Sequence, residues 1–357
     1  MKRLLEIPEY VEDLNRVASL DLPWGKLRGK TILITGGTGL IGSFLIDVLR
    51  AANLDCKVLL FGRSEEKAMT RFEEYWDEGW MEFVKWDAGE PRFERMVRID
   101  GTIDYVLHLA SNTHPVAYAT DPIGTIATNV IALNNLLTFA AEKKATRFLF
   151  TSSNEIYGEN RGDVELFDEK YCGYIDCNTL RAGYPESKRC GEALCQAYIK
   201  QKGLDCVIAR LTRTYGPTIL STDTKAISQF FNNALRGEDI VLKSEGKQYY
   251  SYQYVSDSVS GLLTVLLKGA CGEAYNIADE SGDIMLHSLA ALIANQIGRK
   301  VVFNLPDALE AVGFSKATKA RLDGMKLKRL GWVPTYDIAS GVRRNFCCMC
   351  QVYAERM

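Results

Sequence analysis

Apolar and polar positions form two alternating patterns along the first half of the chain. Short runs of apolar and β-branched residues predict buried strands, whereas apolar residues at every third or fourth position predict amphipathic helices. The predicted strands are 31–34, 57–61, 82–85, 104–110 and 147–152, and the long predicted helices are 125–144 and 181–201. Alternation of strands and helices from residue 30 to about 150 is typical of an α/β fold with a doubly wound parallel sheet.

The pattern is looser on either side of this region. Before it, Tyr10, Val11, Leu14, Val17 and Ala18 predict a short amphipathic helix that ends before Pro23. Beyond residue 210 the predicted elements are shorter, and they comprise helix 228–236, strand 240–242, helix 257–267 and a short strand within 272–279. We expect the first helix to pack on the edge of the domain.

Three glycines separate the first strand from the helix that begins near Leu40. Glycines allow the backbone to turn tightly and to approach a pyrophosphate, whose charge is then met by free N–H groups at the helix N-terminus. Strand, glycine turn and helix in this order predict a dinucleotide site. The residues assigned to it in this loop are Gly36, Thr38, Gly39, Leu40, Ile41 and Gly42.

Other cofactor contacts are expected where the parallel strands end, since ligands collect at that edge of an open sheet. The residues placed there, or on the helix that follows the fourth strand, are Arg63, Asp87, Ala88, Leu109, Ala110, Ser111 and Asn129. NAD-preferring sites usually place an acid after the second strand, but this chain has Gly62 and then Arg63. A guanidinium there can bind a 2′-phosphate or lie across the adenine. Both NAD and NADP therefore stay open as the cofactor, and NADP is slightly favoured.

A tyrosine and a lysine on the predicted helix 181–201 suggest acid–base chemistry. Tyr184 and Lys188 are four residues apart and share a helix face, so the ammonium lies beside the phenol. A phenol has a pKa near ~10, and a nearby positive charge favours the phenolate. With a hydroxyl from Ser153, these groups predict a proton relay for alcohol oxidation by a nicotinamide. If the chain stays extended, Glu155 faces the same side as Ser153.

Composition excludes several other classes of protein. The 357 residues carry a formal net charge of −2 and no long basic run, which argues against nucleic acid as a partner. No metal site is predicted, because the ten cysteines lack zinc spacing, and we expect reduced thiols. We expect no membrane span, because no apolar run approaches the ~20 residues needed to cross a bilayer. The N-terminal residues mix acids and Pro8 into what would be a signal core, so we expect a cytoplasmic protein without membrane contact.

Six motifs occur in an order that resembles the extended short-chain dehydrogenase/reductase family. They are TGGTGLIG at 35–42, LHLAS at 107–111, SSNEIYG at 152–158, YPESK at 184–188, TYGP at 214–217 and YVSD at 254–257. The resemblance implies a Rossmann-type sheet with a smaller C-terminal α/β substrate-binding domain. It divides the chain into a leader 1–29, a dinucleotide-binding domain 30–212, a nucleotide-sugar-binding domain 213–345 and a tail 346–357, with helix 257–267 returning to the large domain.

The resemblance also implies a reaction on a nucleotide-diphosphate sugar. Ser153, Tyr184 and Lys188 would form the triad that oxidises the sugar at C4, with Lys188 also holding the nicotinamide ribose of a tightly bound, recycled cofactor. Glu155 stands where 4,6-dehydratases and UDP-glucuronate decarboxylases carry an acid, and both reactions stay open. The alternatives are a 4-epimerase, which needs no Glu155, and a non-catalytic NAD(P)-binding protein.

Two departures from the family pattern fall in the substrate half. The family usually has Asn where this chain has Arg213, and Arg where it has Tyr250. Either the diphosphate clamp is rebuilt from the other wall of the cleft or the sugar nucleotide is not a standard one. The residues assigned to the substrate are Asn154, Arg181, Arg213, Lys225 and Tyr250. The resemblance further implies a homodimer paired through helices 125–144 and 182–201.

Overall fold

The large sheet of the protein contains seven parallel strands. A computed structural model describes residues 3–87, 99, 101–113, 118, 120–220, 222–304 and 318–353. Within these residues the strands are β1 (Thr31–Thr35), β2 (Lys57–Gly62), β3 (Met81–Lys85), β4 (Tyr105–His108), β5 (Arg147–Ser153), β6 (Cys206–Leu211) and β10 (Ala274–Ile277). Their order is β10-β6-β5-β4-β1-β2-β3, and every pair is parallel. The predicted Rossmann-type doubly wound fold is confirmed.

The sheet is buried on both faces, which explains why its strands are continuous apolar runs. Ile32 and Ile34 of β1 belong to one hydrophobic core, whereas Leu33 between them belongs to the other. Long helices cover the two faces, namely α2 (Leu40–Ala51), α4 (Pro122–Glu142), α5 (Gly183–Lys202) and α7 (Val255–Lys268). The strand order reverses between β1 and β4, and a crevice for ligands opens at such a point, beyond the carboxyl ends of the strands.

The remaining elements build the smaller part of the molecule and the two ends of the chain. A second sheet has β9 (Tyr249–Tyr254) at its centre, paired with β7 (Arg213–Tyr215), β11 (Asp283–Met285) and β13 (Lys319–Ala320). Strands β8 (Ile240–Leu242) and β12 (Val301–Phe303) form a parallel pair. The other helices are α1 (Pro8–Ala18), α3 (Glu65–Arg71), α6 (Ala226–Leu235), α8 (Leu286–Gln296), α9 (Met325–Lys328) and α10 (Ile338–Tyr353).

Two elements from the C-terminal half of the chain, β10 and α7, belong to the large sheet or pack against it. The short strand expected within 272–279 is β10, and it lies at the edge of the large sheet beside β6 rather than in the smaller half. Helix α7 packs against α2 and β6, as expected for a segment that returns to the large sheet. The boundary near residue 212 stays a prediction.

Helix α4 corrects the expectation about apolar segments. Among the described residues it is the one helix that is long and apolar enough to cross a membrane, judged by length and composition alone. It covers a face of the sheet beside α5, and 44% of its most apolar window is buried inside the protein. Core helices of soluble proteins satisfy the same criterion, so the packing of α4 accounts for its composition.

Candidate active site

The glycine turn after β1 forms a tight cradle. Gly36 has a φ of +71°, and a Cβ there would lie 2.7 Å from the backbone N of Ala110. A Cβ at Gly42 would lie 2.4 Å from the carbonyl oxygen of Gly36. Gly39 is the N-cap of α2, so the helix presents its first N–H groups at the turn. Thr38, Leu40 and Ile41 are partly exposed there, and the cradle has the form that a pyrophosphate requires.

The end of β4 is joined to β1 by a buried polar pair. The Oγ1 of Thr35 lies 2.8 Å from Nδ1 of His108 and accepts a hydrogen bond of 3.1 Å from the backbone N–H of Ala110. Burial, aided by the charge of Lys188, lowers the pKa of His108 to about 3. The pair fixes the path of Leu109, Ala110 and Ser111, which are partly exposed beside the glycine cradle.

The chain turns at Ser153 instead of staying extended, which corrects the expected relation between Ser153 and Glu155. Residues Asn154–Tyr157 form a single turn of 3₁₀-helix because the Oγ of Ser153 accepts a hydrogen bond from the N–H of Glu155 at 3.2 Å. A serine at a helix N-cap commonly stabilises such a turn. Asn154 is buried within it, whereas the carboxylate of Glu155 is directed toward Arg181, in the turn just before α5.

Tyr184 and Lys188 are both buried in the first turns of α5. Burial, with the charge of Glu155, raises the pKa of Tyr184 to about 12, although hydrogen bonds with Ser153 and Ser111 oppose this. Burial lowers the pKa of Lys188 to about 7, and its Nζ donates a hydrogen bond of 2.9 Å to the carbonyl of Thr151. The expectation that Lys188 makes the phenol acidic is therefore wrong for this arrangement, in which desolvation is the larger effect.

Asn129 lies behind the site and not on its surface. The amide is fully buried, and its Oδ1 accepts a hydrogen bond of 2.7 Å from the hydroxyl of Ser111. Its Nδ2 donates a hydrogen bond of 3.0 Å to the Oγ of Ser187, which itself bonds the carbonyl of Tyr184. Asn129 therefore positions Ser111 and the start of α5, and the expected direct contact with a cofactor is corrected to this indirect role.

Glu155 forms an ion pair with Arg181 next to the phenol of Tyr184. The Nη2 of Arg181 lies 2.5 Å from Oε2 of Glu155, and both side chains are mostly buried. The guanidinium also lies 4.7 Å from the ring centroid of Tyr118, whose ring stacks on Tyr184 at 4.8 Å. Tyr118 thus links the ion pair to the phenol and limits the positions that Arg181 can adopt.

The second wall of the cleft carries the residues that depart from the family pattern. The Cζ of Arg213 on β7 lies 3.4 Å above the ring centroid of Tyr250 on β9, and Tyr250 is buried. Lys225 forms an ion pair of 2.9 Å with Asp223, and its Nζ lies 3.3 Å from the hydroxyl of Thr113, which follows β4. Lys225 therefore links the smaller part of the molecule to the carboxyl edge of the large sheet.

The residues expected near the adenine lie at the far ends of β2 and β3. Arg63 is exposed directly after β2, and Asp87 is exposed just after β3. A Cβ at Gly62 would lie 3.2 Å from the ring of Phe83. Ala88 falls outside the described residues.

The site as a whole fits a dinucleotide and an alcohol. The glycine cradle suits a pyrophosphate, and Tyr184, Lys188, Ser111 and Ser153 gather beyond it at the ends of β4, β5 and α5. When bound, a nicotinamide supplies hydride transfer. The side chains supply a phenolic oxygen, that of Tyr184, which can bond an alcohol, and a carboxylate, Glu155, held next to it by Arg181.

Sequence reasoning missed Tyr118, Thr35 and His108. Thr35 and His108 carried a signal, since each is a polar residue at the end of a strictly apolar strand. Tyr118 carried none, because its contact with Tyr184 joins segments that are distant along the chain.

Comparisons with known proteins extend this picture. UDP-glucuronic acid decarboxylase 6 of Arabidopsis thaliana is 34% identical over 322 residues, which cover 87% of this chain and 86% of that protein. UDP-glucuronic acid decarboxylase 1 of Danio rerio is 31% identical over 321 residues, 88% of this chain and 72% of that protein.

Solved structures share the fold. The dTDP-glucose 4,6-dehydratase of Streptomyces venezuelae with NAD bound has a TM-score of 0.76 at 24% identity, covering 91% of this chain and 98% of that one. UDP-glucuronic acid 4-epimerase of Bacillus cereus, in complex with UDP-glucuronic acid and NAD, has a TM-score of 0.76 at 20% identity, covering 90% and 100%. Residues 32–278 match the model of a protein family that is described as "NAD dependent epimerase/dehydratase family". The chain belongs to the NAD dependent epimerase/dehydratase family.

Proposed function

We propose that this protein is a nucleotide-sugar decarboxylase, which oxidises a UDP-linked uronic acid at C4 and releases its carboxyl group as CO2. The observation that carries the proposal is the carboxylate of Glu155, fixed by Arg181 beside the phenol of Tyr184. The relatives that are 31–34% identical are UDP-glucuronic acid decarboxylases, which favours loss of CO2 over loss of water.

The side chains of the site have separate roles in the proposed reaction. Tyr184, with hydrogen bonds from Ser153 and Ser111, takes the proton of the C4 hydroxyl. A bound oxidised nicotinamide would supply hydride transfer at C4, and its positive charge would favour the phenolate against the effect of burial. The product is a β-keto acid, and its C5–carboxyl bond breaks because the electron pair moves toward the C4 carbonyl. Glu155 relays the proton that C5 then needs, and Arg181 holds the carboxylate in place for this step.

Two other outcomes use the same residues. In a 4,6-dehydratase Glu155 would remove the C5 proton and the C6 hydroxyl would leave, whereas a 4-epimerase needs the triad alone. The solved structures with this fold include both classes, at under 25% identity. Mass spectrometry after separate incubations with UDP-glucuronate and UDP-glucose distinguishes the three reactions. Loss of CO2 is possible only from the uronate, loss of water at C6 only from the sugar with a C6 hydroxyl, and an unchanged mass with altered sugar stereochemistry marks epimerisation.

Replacement of Glu155 tests the proposal directly. We expect Glu155→Gln to lower the steady-state turnover by at least ~100-fold, since C5 then lacks the group that delivers its proton after CO2 has left. Oxidation at C4, followed by the absorbance of reduced nicotinamide, should persist. Glu159→Gln, a neutralisation at a nearby exposed position, serves as the control and should keep full activity. Full turnover by the Glu155 variant would refute an elimination mechanism and favour an epimerase.

We infer that the cofactor is NAD and that it is retained through turnover. Structures with this fold hold NAD, and hydride that leaves C4 returns to the sugar, so no net oxidation occurs. Arg63 is the feature that favours NADP, and it is exposed. Chromatography of the cofactor released from acid-denatured protein identifies which dinucleotide was bound and whether it survived purification.

We further propose a homodimer and a cytoplasmic location. Ile123, Ile126 and Ile131 of α4 are exposed apolar side chains, 81%, 44% and 46% exposed, on a helix that packs beside α5. A second copy of the chain would cover them, and light scattering would measure the resulting mass. All ten cysteines are free thiols, which suits a reducing compartment, and cell fractionation tests the location.

A further inference from the structure

Arg213 and Tyr250 form a stacked pair on neighbouring strands of the second sheet. Arg213 is paired in register with Tyr252, and Tyr250 lies two residues earlier on the same face of β9. The Cζ of the guanidinium lies 3.4 Å from the centroid of the Tyr250 ring. This distance places the guanidinium directly over the side chain at position 250.

The guanidinium of Arg213 has donors that the described residues do not use. Its Nη1 is buried and has no hydrogen-bond partner among them. Burial of an unpaired charged donor is costly, and buried polar groups are almost always satisfied in a folded protein. A stacked guanidinium with a buried and unpaired Nη1 therefore indicates a site for an anion.

The pair lies at the sugar end of the site. Burial raises the pKa of Tyr250, and the charges of Arg213, Glu155 and Arg181 all act on this phenol. Glu155 and Arg181 in turn act on Tyr184, where C4 of the sugar is expected. Tyr250, which has Arg213 against its ring, is thus within electrostatic reach of the Glu155 carboxylate.

We propose that Arg213, held flat by Tyr250, binds the carboxylate of the sugar ring and so makes the site select nucleotide-linked uronic acids over neutral sugars. This inference rests on the proposed decarboxylation and names its specificity residue. The negative charge of Glu155 would repel a sugar carboxylate bound beside it unless a second cation paired with that carboxylate. Arg181 is already paired with Glu155, whereas the planar edge of Arg213 matches a carboxylate in a bidentate manner.

Calorimetric binding measures this selection without turnover. All proteins carry Tyr184→Phe, which removes the phenol needed for oxidation, and the probes are UDP-glucuronate, UDP-glucose and UDP. We expect Arg213→Asn to weaken UDP-glucuronate by at least ~10-fold, the effect of losing a hydrogen bond to a charged group. The affinities for UDP-glucose and UDP should change little.

The chain provides a matched control in Arg321, which lies 4.5 Å from the ring centroid of Tyr249, the neighbouring residue of β9. Its partners are Glu165 and Asp283, so Arg321→Asn should leave the selection unchanged. Equal weakening of all three probes by Arg213→Asn would assign Arg213 to the diphosphate and overturn the inference, as would unchanged binding of all three.

A second variant, Arg213→Lys, tests the inference if Arg213→Asn does not fold. Arg213→Lys keeps the charge but loses the planar edge, so we expect a smaller loss of UDP-glucuronate affinity. Affinity equal to that of the parent would contradict the proposed bidentate contact. If the parent enzyme releases no CO2 but Arg213→Asn still loses selection for the uronic acid, the proposed reaction fails while the inference stands.

Discussion

Single buried polar residues determine the shape of this site. Thr35 and His108 end adjacent strands of the large sheet, and their side chains are completely buried at the floor of the crevice. His108 stacks on Phe150, at 6.1 Å between ring centroids, and its Nε2 is buried without a partner among the described residues. Such a ring remains neutral, since water cannot stabilise its charge.

The neutral state of His108 makes stability depend on acidity. Its pKa is about 3 in the folded protein and 6.5 in the unfolded chain, so below pH 6.5 the unfolded chain binds a proton that the folded protein does not. The contribution of His108 to the free energy of unfolding is therefore fully present above pH 6.5 and is lost as the pH falls below this value. Between pH 7 and pH 5 this group should account for about 2 kcal/mol of lost unfolding free energy.

The comparison variant is His108→Asn, which does not titrate and keeps an amide near Thr35. Urea unfolding at pH 7, 6 and 5 should show a steeper loss of stability for the native protein than for the variant. Parallel pH profiles would mean that His108 is not held neutral.

At the scale of elements, the local sequence pattern was sufficient to predict an element wherever the fold buries the apolar residues of that pattern. The runs around Ile32–Ile34 and Val106–Leu107 predicted strands because the parallel sheet covers both of their faces. The turn at Ser153 was missed because a single side-chain hydrogen bond, and not a hydrophobic pattern, changes the direction of the chain. The place of β10 in the large sheet was missed because pairing with β6 is a contact between distant segments.

The same distinction applies to the site. The glycine turn, Tyr184 and Lys188 are each defined by spacing within one segment, and the structure brings them together at the carboxyl edge of the sheet. The pKa of Tyr184 was predicted in the wrong direction, because burial depends on the whole fold and outweighs the charge of one neighbour. The contact of Arg213 with Tyr250 likewise needs the pairing of β7 with β9.

The turn between β1 and α2 is the element most sensitive to substitution. Gly36→Ala forces a Cβ into the backbone of Leu109 and Ala110, 2.8 and 2.7 Å away, at a φ of +71° that side chains rarely adopt. We expect a loss of about 1–3 kcal/mol of stability and greatly weakened binding of NAD, measured by thermal unfolding and calorimetry. Gly25→Ala is the control, since its Cβ would meet nothing within 4 Å. Native affinity in the Gly36 variant would show that the cradle does not hold the pyrophosphate.

At the scale of the whole molecule, the two ends of the described chain are joined through one carboxylate. Asp13 of α1 is completely buried, and it accepts hydrogen bonds from the hydroxyls of Tyr254 at 3.0 Å and Tyr336 at 2.6 Å. Arg344 of α10 donates to the same carboxylate from Nε at 3.3 Å. Helix α1 also packs on α2 and α7. The segment expected to lie on a domain edge is thus packed between helices that cover the large sheet and the C-terminal helix.

Removal of this carboxylate should loosen both ends together. Asp13→Ala leaves the hydroxyls of the buried Tyr254 and the half-buried Tyr336 without this acceptor and removes one of the carboxylates that Arg344 contacts. Loss of one partner from a buried ionic network costs about 3–5 kcal/mol. Chemical unfolding, followed by fluorescence, would measure the change. Glu12→Ala is a close control, because Glu12 pairs with the same Arg344 at 2.7 Å but is 72% exposed, and exposed pairs contribute at most ~1 kcal/mol. An Asp13→Ala loss as small as that of Glu12→Ala would show that the buried carboxylate does not hold α1 in place, since removal of a carboxylate that holds buried partners leaves them unsatisfied.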